Sequence, residues 1–166
     1  ELALVKNAES MKKCCCNPAV PSQKVFTIMS EDYSKLNGYE PDADLGVGCG
    51  LPTQYAGIKP GDTVVDLGAG AGNDCFIARE EVGTTGRVIG VDFAPNMLLK
   101  ARENAQRRGF TNVEFLEGDI ENMPLPDAMA DVIVSNCVLN LLPRKDRIFK
   151  EIYRVLKPGA RFCISD

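Results

Sequence analysis

The sequence of 166 residues contains no histidine. Because imidazole is the side chain that changes charge near neutral pH, acid and base catalysis by histidine is excluded. Strongly basic segments are also scarce: the lysines and arginines are scattered apart from short pairs such as Arg107-Arg108 and Arg144-Lys145, and the formal net charge is −4. Since a clustered basic face is typical of nucleic-acid binding, nucleic acid is not an expected partner.

Long apolar runs are absent as well. No stretch approaches the roughly 20 apolar residues of a membrane-spanning helix, and residues 1–20 lack the apolar block of a signal peptide. We therefore expect a cytoplasmic protein without a membrane partner. The chain begins at Glu1 and ends at Asp166, directly after a predicted strand, which indicates a piece of a longer protein.

Seven cysteines are present, an odd number, and their spacing does not match a secreted disulfide framework. In a reducing compartment, such cysteines are core residues, catalytic thiols or ligands more often than structural bridges. Apart from the run Cys14–Cys16 there is no pair at zinc-finger spacing, so zinc is not expected. Because thiolates prefer soft centres, these residues favour a soft, sulfur-seeking substrate.

Two regions differ in composition. Residues 1–59 predict an N-terminal arm that carries cysteines, a short helix at 22–36 and the start of a glycine- and proline-rich loop at 37–61. Loops of that length in a compact domain are usually functional or disordered. Residues 60–166 form the second region, in which short β-branched runs alternate with amphipathic segments.

The second region predicts repeated β-α units. Strands are expected at 63–67, 87–91, 113–116, 131–135 and 160–165, and helices at 73–82, 95–108 and 145–156. Such repeats indicate a Rossmann-like doubly wound α/β fold, in which helices cover both faces of a parallel sheet. Ligands of these sheets bind where the strands end.

A glycine-rich turn follows the first strand. Residues 66–72 read Asp-Leu-Gly-Ala-Gly-Ala-Gly, and glycines allow both a tight turn and close approach of the backbone to a ligand. The dinucleotide fingerprint would place glycine where Asn73 stands. A nicotinamide dehydrogenase is therefore disfavoured, as it also is by the lack of a candidate acid such as histidine.

The turn resembles the first motif of Class I S-adenosylmethionine-dependent methyltransferases. Two further elements follow in order: Val91-Asp92 closes the second strand with a carboxylate suited to ribose hydroxyls, and Glu117-Gly118-Asp119-Ile120 follows the third strand. The resemblance covers residues 60–166 and implies S-adenosylmethionine as cofactor, with the sheet truncated before its last strands. It also implies that Asp119 binds the adenine amino group and that Ile120 covers the ring. The candidate cofactor-binding residues are Asp66, Gly68, Gly70, Gly72, Asp92, Asp119, Ile120 and Asn136.

Two cysteine segments narrow the resemblance. Residues 44–52 read Asp-Leu-Gly-Val-Gly-Cys-Gly-Leu-Pro, and residues 135–141 read Ser-Asn-Cys-Val-Leu-Asn-Leu. Together with Tyr33 and Gly38-Tyr39, they look like the arsenite methyltransferases. This resemblance implies methyl transfer from S-adenosylmethionine to trivalent arsenic that is bound by cysteine sulfurs.

The resemblance also implies the roles of individual cysteines. Cys49 and Cys137 would be the catalytic thiols that bind arsenic, and a third arsenic ligand would be Cys15, with Cys14 or Cys16 as alternatives. The family further implies trivalent arsenic, free or as a thiol conjugate, as the substrate, and a thiol reductant. Trivalent arsenic has a lone pair that can attack a sulfonium methyl group without a general base, so the task of the protein would be positioning.

Other interpretations stay open. Another small-molecule methyltransferase of this fold, such as a quinone- or sterol-methylating enzyme, would need a base or a large apolar pocket and would not need Cys49 or Cys137. A non-catalytic module would bind arsenic through thiols without binding the cofactor. Cys75 and Cys163 are predicted to be small core residues, and Asp74 either caps its helix or faces the cofactor.

Overall fold

A β-sheet with helices on both faces forms the centre of the computed structural model, which describes residues 32–46 and 48–166. The strands are β1 (Thr63–Leu67), β2 (Arg87–Asp92), β3 (Val113–Glu117), β4 (Ala130–Asn136) and β5 (Leu156–Ser165). The helices are α1 (Pro52–Tyr55), α2 (Asn73–Val82), α3 (Pro95–Arg107) and α4 (Lys145–Val155), with 3₁₀ turns at Tyr33–Lys35 and Leu139–Leu141. No helix in the described part of the chain is long and apolar enough to cross a bilayer.

The sheet is parallel throughout, and its strand order is β3-β2-β1-β4-β5. This topology confirms the predicted Rossmann-like α/β fold. The chain runs outward from β1 through β2 to β3 and then returns across the sheet to β4, so the order reverses between β1 and β4. Because ligands of open α/β sheets bind outside the strand ends at such a reversal, the ends of β1 and β4 mark the candidate site.

The central strands are buried on both faces, which explains their continuous apolar runs. Val64 of β1 packs in the cluster that contains Phe76 of α2 and Leu98 of α3. Its neighbour Val65 points the other way, into the cluster that contains Ile148 of α4. Successive side chains of a strand point to opposite faces, so β1 joins the two halves of the core.

The region before β1 differs from its predicted form. Most of the predicted helix at 22–36 lies outside the described residues, and the described part contains the 3₁₀ turn Tyr33–Lys35. The predicted loop at 37–61 contains the short helix α1, which the sequence analysis missed. Pro52 occupies the first turn of α1, a position where the missing proline N–H costs no hydrogen bond.

The last strand begins earlier than predicted. Leu156 pairs with Ala130, and the next pairing in register is Arg161 with Val132. The residues between them form a bulge in β5 with Gly159 at φ +79°. Residues 157–159, which the sequence analysis leaves between the helix at 145–156 and the strand at 160–165, therefore belong to the strand.

Helix α4 should stabilise the fold through its buried face. Ile152 is 1% exposed, whereas the adjacent Tyr153 is 86% exposed. We expect Ile152→Ala to lower the free energy of unfolding by about 2–5 kcal/mol, because it removes buried methyl groups and leaves a cavity. Tyr153→Ala is the matched control and should change it by about 0.5 kcal/mol or less. Urea unfolding of both variants measures the difference, and equal losses would contradict this packing.

Candidate functional site

The turn between β1 and α2 depends on glycine at two positions. Gly68 has φ +74°, and a Cβ there would overlap the side chain of Val138. Gly72 has φ +96°, and a Cβ there would lie 2.8 Å from the ring of Phe76. Glycine is the residue that combines left-handed backbone with such close approach. The turn is thereby packed against the segment that follows β4.

Asp92, at the end of β2, holds this turn in place. Its Oδ2 accepts the N–H of Gly70 at 2.8 Å, and its Oδ1 accepts the N–H of Ala94 at 2.8 Å. A carboxylate has about four lone-pair positions, so each oxygen can still accept a hydrogen bond from a ligand. Asp92 can therefore hold the turn and also bind a ribose. The contact with the ribose stays a prediction.

A cleft opens beside the turn. Its walls come from Tyr33, from the loop residues 43–46 and Gly48, from the β1–α2 connection and from Asn136. Four predicted cofactor residues line it, namely Asp66, Gly68, Gly70 and Asn136. The other four, which are Gly72, Asp92, Asp119 and Ile120, lie outside its lining.

The turn after β3 lies next to the end of β2. The N–H of Gly118 donates to the backbone carbonyl of Asp92 at 3.0 Å. Ile120 is buried in the core cluster on the α4 side of the sheet, and Asp119 accepts the N–H of Glu121 at 2.8 Å. The predicted adenine contacts of Asp119 and Ile120 stay predictions.

Two carboxylates form the floor of the cleft, the buried Asp66 and the half-buried Asp74. Asp66 lies near the end of β1 and is 2% exposed. Its Oδ2 accepts a hydrogen bond from the thiol of Cys75 at 3.2 Å. Burial, together with the negative charge of Asp74, raises the pKa of Asp66 well above its usual value. Cys75 is buried as predicted, but its hydrogen bond to Asp66 was not foreseen.

Asp74 lies in the first turn of α2 and lines the cleft. Burial raises the pKa of Asp74 to about 6, although hydrogen bonds from Asn136 and Tyr33 act in the opposite direction. Its Oδ2 is the acceptor in both contacts, at 3.1 Å from Asn136 Nδ2 and 3.3 Å from Tyr33 Oη. Its Oδ1 is buried and has no hydrogen-bond partner among the described residues. Of the two roles left open for Asp74, the structure favours the one that faces the cleft.

Cys49 and Cys137 come together at the side of this cleft. Their sulfurs are joined as a disulfide, with the Cα atoms 5.7 Å apart across 88 positions of sequence. The sequence analysis favours cysteines without disulfide bonds, and this pair differs from that expectation. The bridge forms because the fold brings two distant segments into contact. When the bond is reduced, two thiols on Cα atoms this close together can both bind one soft atom.

Asn136 connects the cysteine pair with the acidic floor. Its Oδ1 accepts the N–H of Cys49 at 2.9 Å, and its Nδ2 donates to the carbonyl of Gly50 at 2.9 Å. Tyr33 contacts Nδ2 of Asn136, and its one hydroxyl hydrogen is shared between the carbonyl of Gly50 at 2.6 Å and Oδ2 of Asp74 at 3.3 Å. The predicted contact of Asn136 with the cofactor stays untested, whereas its position between thiols and carboxylates is a new finding.

The remaining cysteines play different parts. Cys163 is partly buried against the core, close to its predicted place. The candidate third arsenic ligand, Cys15 or its neighbours Cys14 and Cys16, lies outside the described residues. Within residues 32–46 and 48–166, no group of three or more cysteine, aspartate or glutamate side chains is arranged to hold a metal ion.

The profile of a family described as a methyltransferase domain matches residues 58–166. The chain belongs to this methyltransferase family. An arsenite methyltransferase from Halobacterium salinarum is 52% identical in an alignment 141 residues long, which covers 80% of this chain and 36% of that protein. A demethylmenaquinone methyltransferase from Lactococcus lactis is 34% identical over 144 residues, which are 86% of this chain and 57% of that protein.

The chain is also similar to a methyltransferase of known structure. The arsenic (III) S-adenosylmethionine methyltransferase from Chlamydomonas reinhardtii is 42% identical, with a TM-score of 0.65 over 70% of this chain and 42% of that one. The chain therefore spans less than two thirds of the length of each of these relatives. S-adenosylmethionine is the cofactor of the family, and the fold is that of its Class I members.

The residues of the cleft fit this cofactor. S-adenosylmethionine has positive charge on its sulfonium and on its α-ammonium group, and the floor presents the carboxylates of Asp66 and Asp74. Among the described residues, neither carboxylate forms an ion pair with lysine or arginine. Since a buried charge is stabilised by an opposite charge, a cationic ligand is the complement that the cleft lacks.

Removal of the Asp92 carboxylate should weaken the binding of S-adenosylmethionine. We expect Asp92→Ala to cost about 1.5–3 kcal/mol of binding free energy, the range for a lost hydrogen bond to a charged group. Asp146→Ala, which removes an exposed carboxylate of α4, is the control and should leave the affinity unchanged. Titration calorimetry measures both, and equal affinities for Asp92→Ala and the unmodified chain would show that this carboxylate faces no part of the cofactor.

A side chain at Gly70 should block the cofactor. Gly70 has φ +52°, and a Cβ there has Leu45 Cδ1 at 3.7 Å as its nearest neighbour within the cleft. We expect Gly70→Val to abolish measurable binding of S-adenosylmethionine through steric overlap. Gly109→Val is the matched control, because Gly109 has φ +67° and open space around it. Both variants should lose about 1–3 kcal/mol of stability through backbone strain, but retained cofactor binding is expected for Gly109→Val alone.

Proposed function

We propose that this methyltransferase transfers the methyl group of S-adenosylmethionine to trivalent arsenic bound by Cys49 and Cys137. The observation that carries the proposal is the meeting of these two sulfurs beside a cleft whose floor contains Asp66 and Asp74. The similarity to arsenite methyltransferases supports the same acceptor. As the chain covers only part of those proteins, the complete reaction is proposed for the protein to which it belongs.

The thiols provide the binding chemistry. In the reduced state, Cys49 and Cys137 form sulfur bonds to arsenic, a soft centre that thiolates favour. Arsenic bound in this way keeps its lone pair, which is the nucleophile, so no side chain has to remove a proton. A chain without histidine is compatible with this chemistry. The third sulfur ligand is proposed to come from Cys14–Cys16.

The cofactor residues provide the positioning. When bound, S-adenosylmethionine supplies an electrophilic methyl group on its sulfonium. Asp66 and the glycine turn hold it at the end of β1, and Asn136 fixes the cysteine loop at the end of β4. Holding two reactants in contact replaces a bimolecular encounter, with effective concentrations of about 10⁵ M or more in favourable cases.

The disulfide sets a requirement for this function. Cys49 and Cys137 can bind arsenic only after their bond is reduced, so a thiol reductant is part of the proposed reaction. Two electrons and two protons from the reductant open the bridge and give two thiols. A reducing cytoplasm maintains thiols in this form, which is consistent with the proposed cytoplasmic location.

A second candidate is a quinone-type methyltransferase. The relative from Lactococcus lactis, a demethylmenaquinone methyltransferase, supports it. Such a reaction occurs at carbon and does not use thiol ligands. Its activity would therefore be independent of Cys49 and Cys137.

Isotope-labelled methyl transfer to arsenite, with excess thiol and the protein extended to its natural ends, tests the proposal. We expect Cys49→Ser and Cys137→Ser each to lower the yield of labelled methylarsenic by about a hundredfold or more, since loss of a ligand displaces the arsenic from its reactive position. Cys163→Ser, at a free cysteine in β5, is the matched control and should retain activity. Normal cofactor binding without any labelled arsenic product would favour a different methyl acceptor.

A further inference from the structure

Asp74 has one oxygen that the described residues do not use. Oδ1 is buried without a hydrogen-bond partner, whereas Oδ2 contacts Tyr33 and Asn136. A buried acceptor without a partner is destabilising, more so when it is charged. The side chain lines the same cleft as the glycine turn, so the unpaired oxygen belongs to a residue of that cleft.

The surroundings of Asp74 identify the chemistry of that ligand. The titratable groups that face it are Tyr33, Asp44, Asp66 and Cys75. None of them is basic, and within the described chain no lysine or arginine forms an ion pair with Asp74. The complement is therefore a cationic donor, and the α-ammonium group of the cofactor provides three N–H donors, like a lysine ammonium.

The other oxygen of Asp74, Oδ2, is connected through hydrogen bonds to the loop that contains Cys49 and Gly50. Asn136 Nδ2 lies 3.1 Å from Asp74 Oδ2 and 2.9 Å from the carbonyl of Gly50. Tyr33 Oη likewise lies between the same two acceptors, at 3.3 Å and 2.6 Å. Because the Oδ1 atom of Asn136 accepts the N–H of Cys49, one side chain orients both the carboxylate and the loop.

We propose that Asp74 binds the ammonium group of the cofactor through Oδ1 and, through Oδ2, positions the loop that presents Cys49 to Cys137. A cation at Oδ1 favours the ionised carboxylate, and an ionised acceptor makes stronger hydrogen bonds to Tyr33 and Asn136. Cofactor binding thereby orders the arsenic site. This inference rests on the proposed function and adds to it an energetic link between the two sites.

Such a link is reciprocal: each ligand raises the affinity for the other by the same factor. S-adenosylhomocysteine is a suitable probe, because it keeps the ammonium group and cannot transfer a methyl group. Arsenite binding to the reduced full-length protein is measured by equilibrium dialysis, with and without saturating S-adenosylhomocysteine. We expect S-adenosylhomocysteine to tighten arsenite binding by about tenfold, within the usual range of coupling.

Asp74→Asn should remove this coupling and also weaken S-adenosylhomocysteine binding in calorimetry. Asp42→Asn is the control, because Asp42 is an exposed carboxylate that pairs with Arg107 and does not line the cleft. It should keep the coupling. A merely structural role of Asp74 would weaken both ligands in parallel and leave the ratio of arsenite affinities unchanged, which would overturn the proposal.

Tyr33→Phe provides a second test that does not depend on how well Asp74→Asn folds. It removes a hydroxyl that contacts both Asp74 and Gly50 and leaves Oδ1 in place. We expect a smaller coupling factor with S-adenosylhomocysteine affinity close to that of the unmodified protein, and an unchanged factor would contradict the link. If arsenite fails to bind the unmodified protein at all, the proposed function fails, whereas the calorimetry still decides whether Asp74 contacts the cofactor.

Discussion

The parallel pairing of β1 with β4 is the constraint on which the candidate site depends. Leu67 is in register with Ser135, and the Ser135 hydroxyl donates to the Leu67 carbonyl at 3.2 Å in the buried centre of the sheet. Since parallel strands end at the same edge, the glycine turn and the Asn136-Cys137 segment leave the sheet side by side. The candidate cofactor residues and Cys137 thus become neighbours, although they lie far apart in sequence.

Charge then determines which cofactor this edge can accept. None of the ion pairs among the described residues involves Asp66 or Asp74: Lys157, for example, pairs with Asp131 at 2.7 Å and Arg107 with Asp42 at 2.7 Å. Asp66 and Asp74 are left to face the glycine turn together. A pyrophosphate at this turn would meet two carboxylates, whereas a sulfonium with an ammonium group would be attracted. The charge of the cleft therefore disfavours a dinucleotide, as does the presence of Asn73 where the dinucleotide fingerprint has glycine.

Local patterns made most of the fold predictable. The apolar runs of β1, β2 and β4, the glycine turn and the acidic residues at the strand ends are features of contiguous sequence, and the structure has the strands and helices close to their predicted bounds. The hydrogen bonds of Asp74 were not predictable in this way. They join it to Tyr33 and Asn136, which are 41 and 62 positions away, and the sequence around Asp74 resembles an ordinary first helical turn. The bulge in β5 was not predictable for a similar reason, because it depends on the pairing of β5 with β4 and not on residues 156–161 alone.

The backbone of Cys137 indicates how firmly the thiol is placed. Its φ of +56° is left-handed, a conformation that costs a residue with a Cβ on the order of 1 kcal/mol or more. The N–H of Cys137 donates to the carbonyl of Ser165 at 2.7 Å, so the end of β5 holds this conformation. Glycine would adopt it without strain but would offer no sulfur. In a chain without histidine, a strained cysteine at the reversal point of the sheet is therefore best understood through the chemistry of its thiol, with the sheet supplying the energy that keeps it in position.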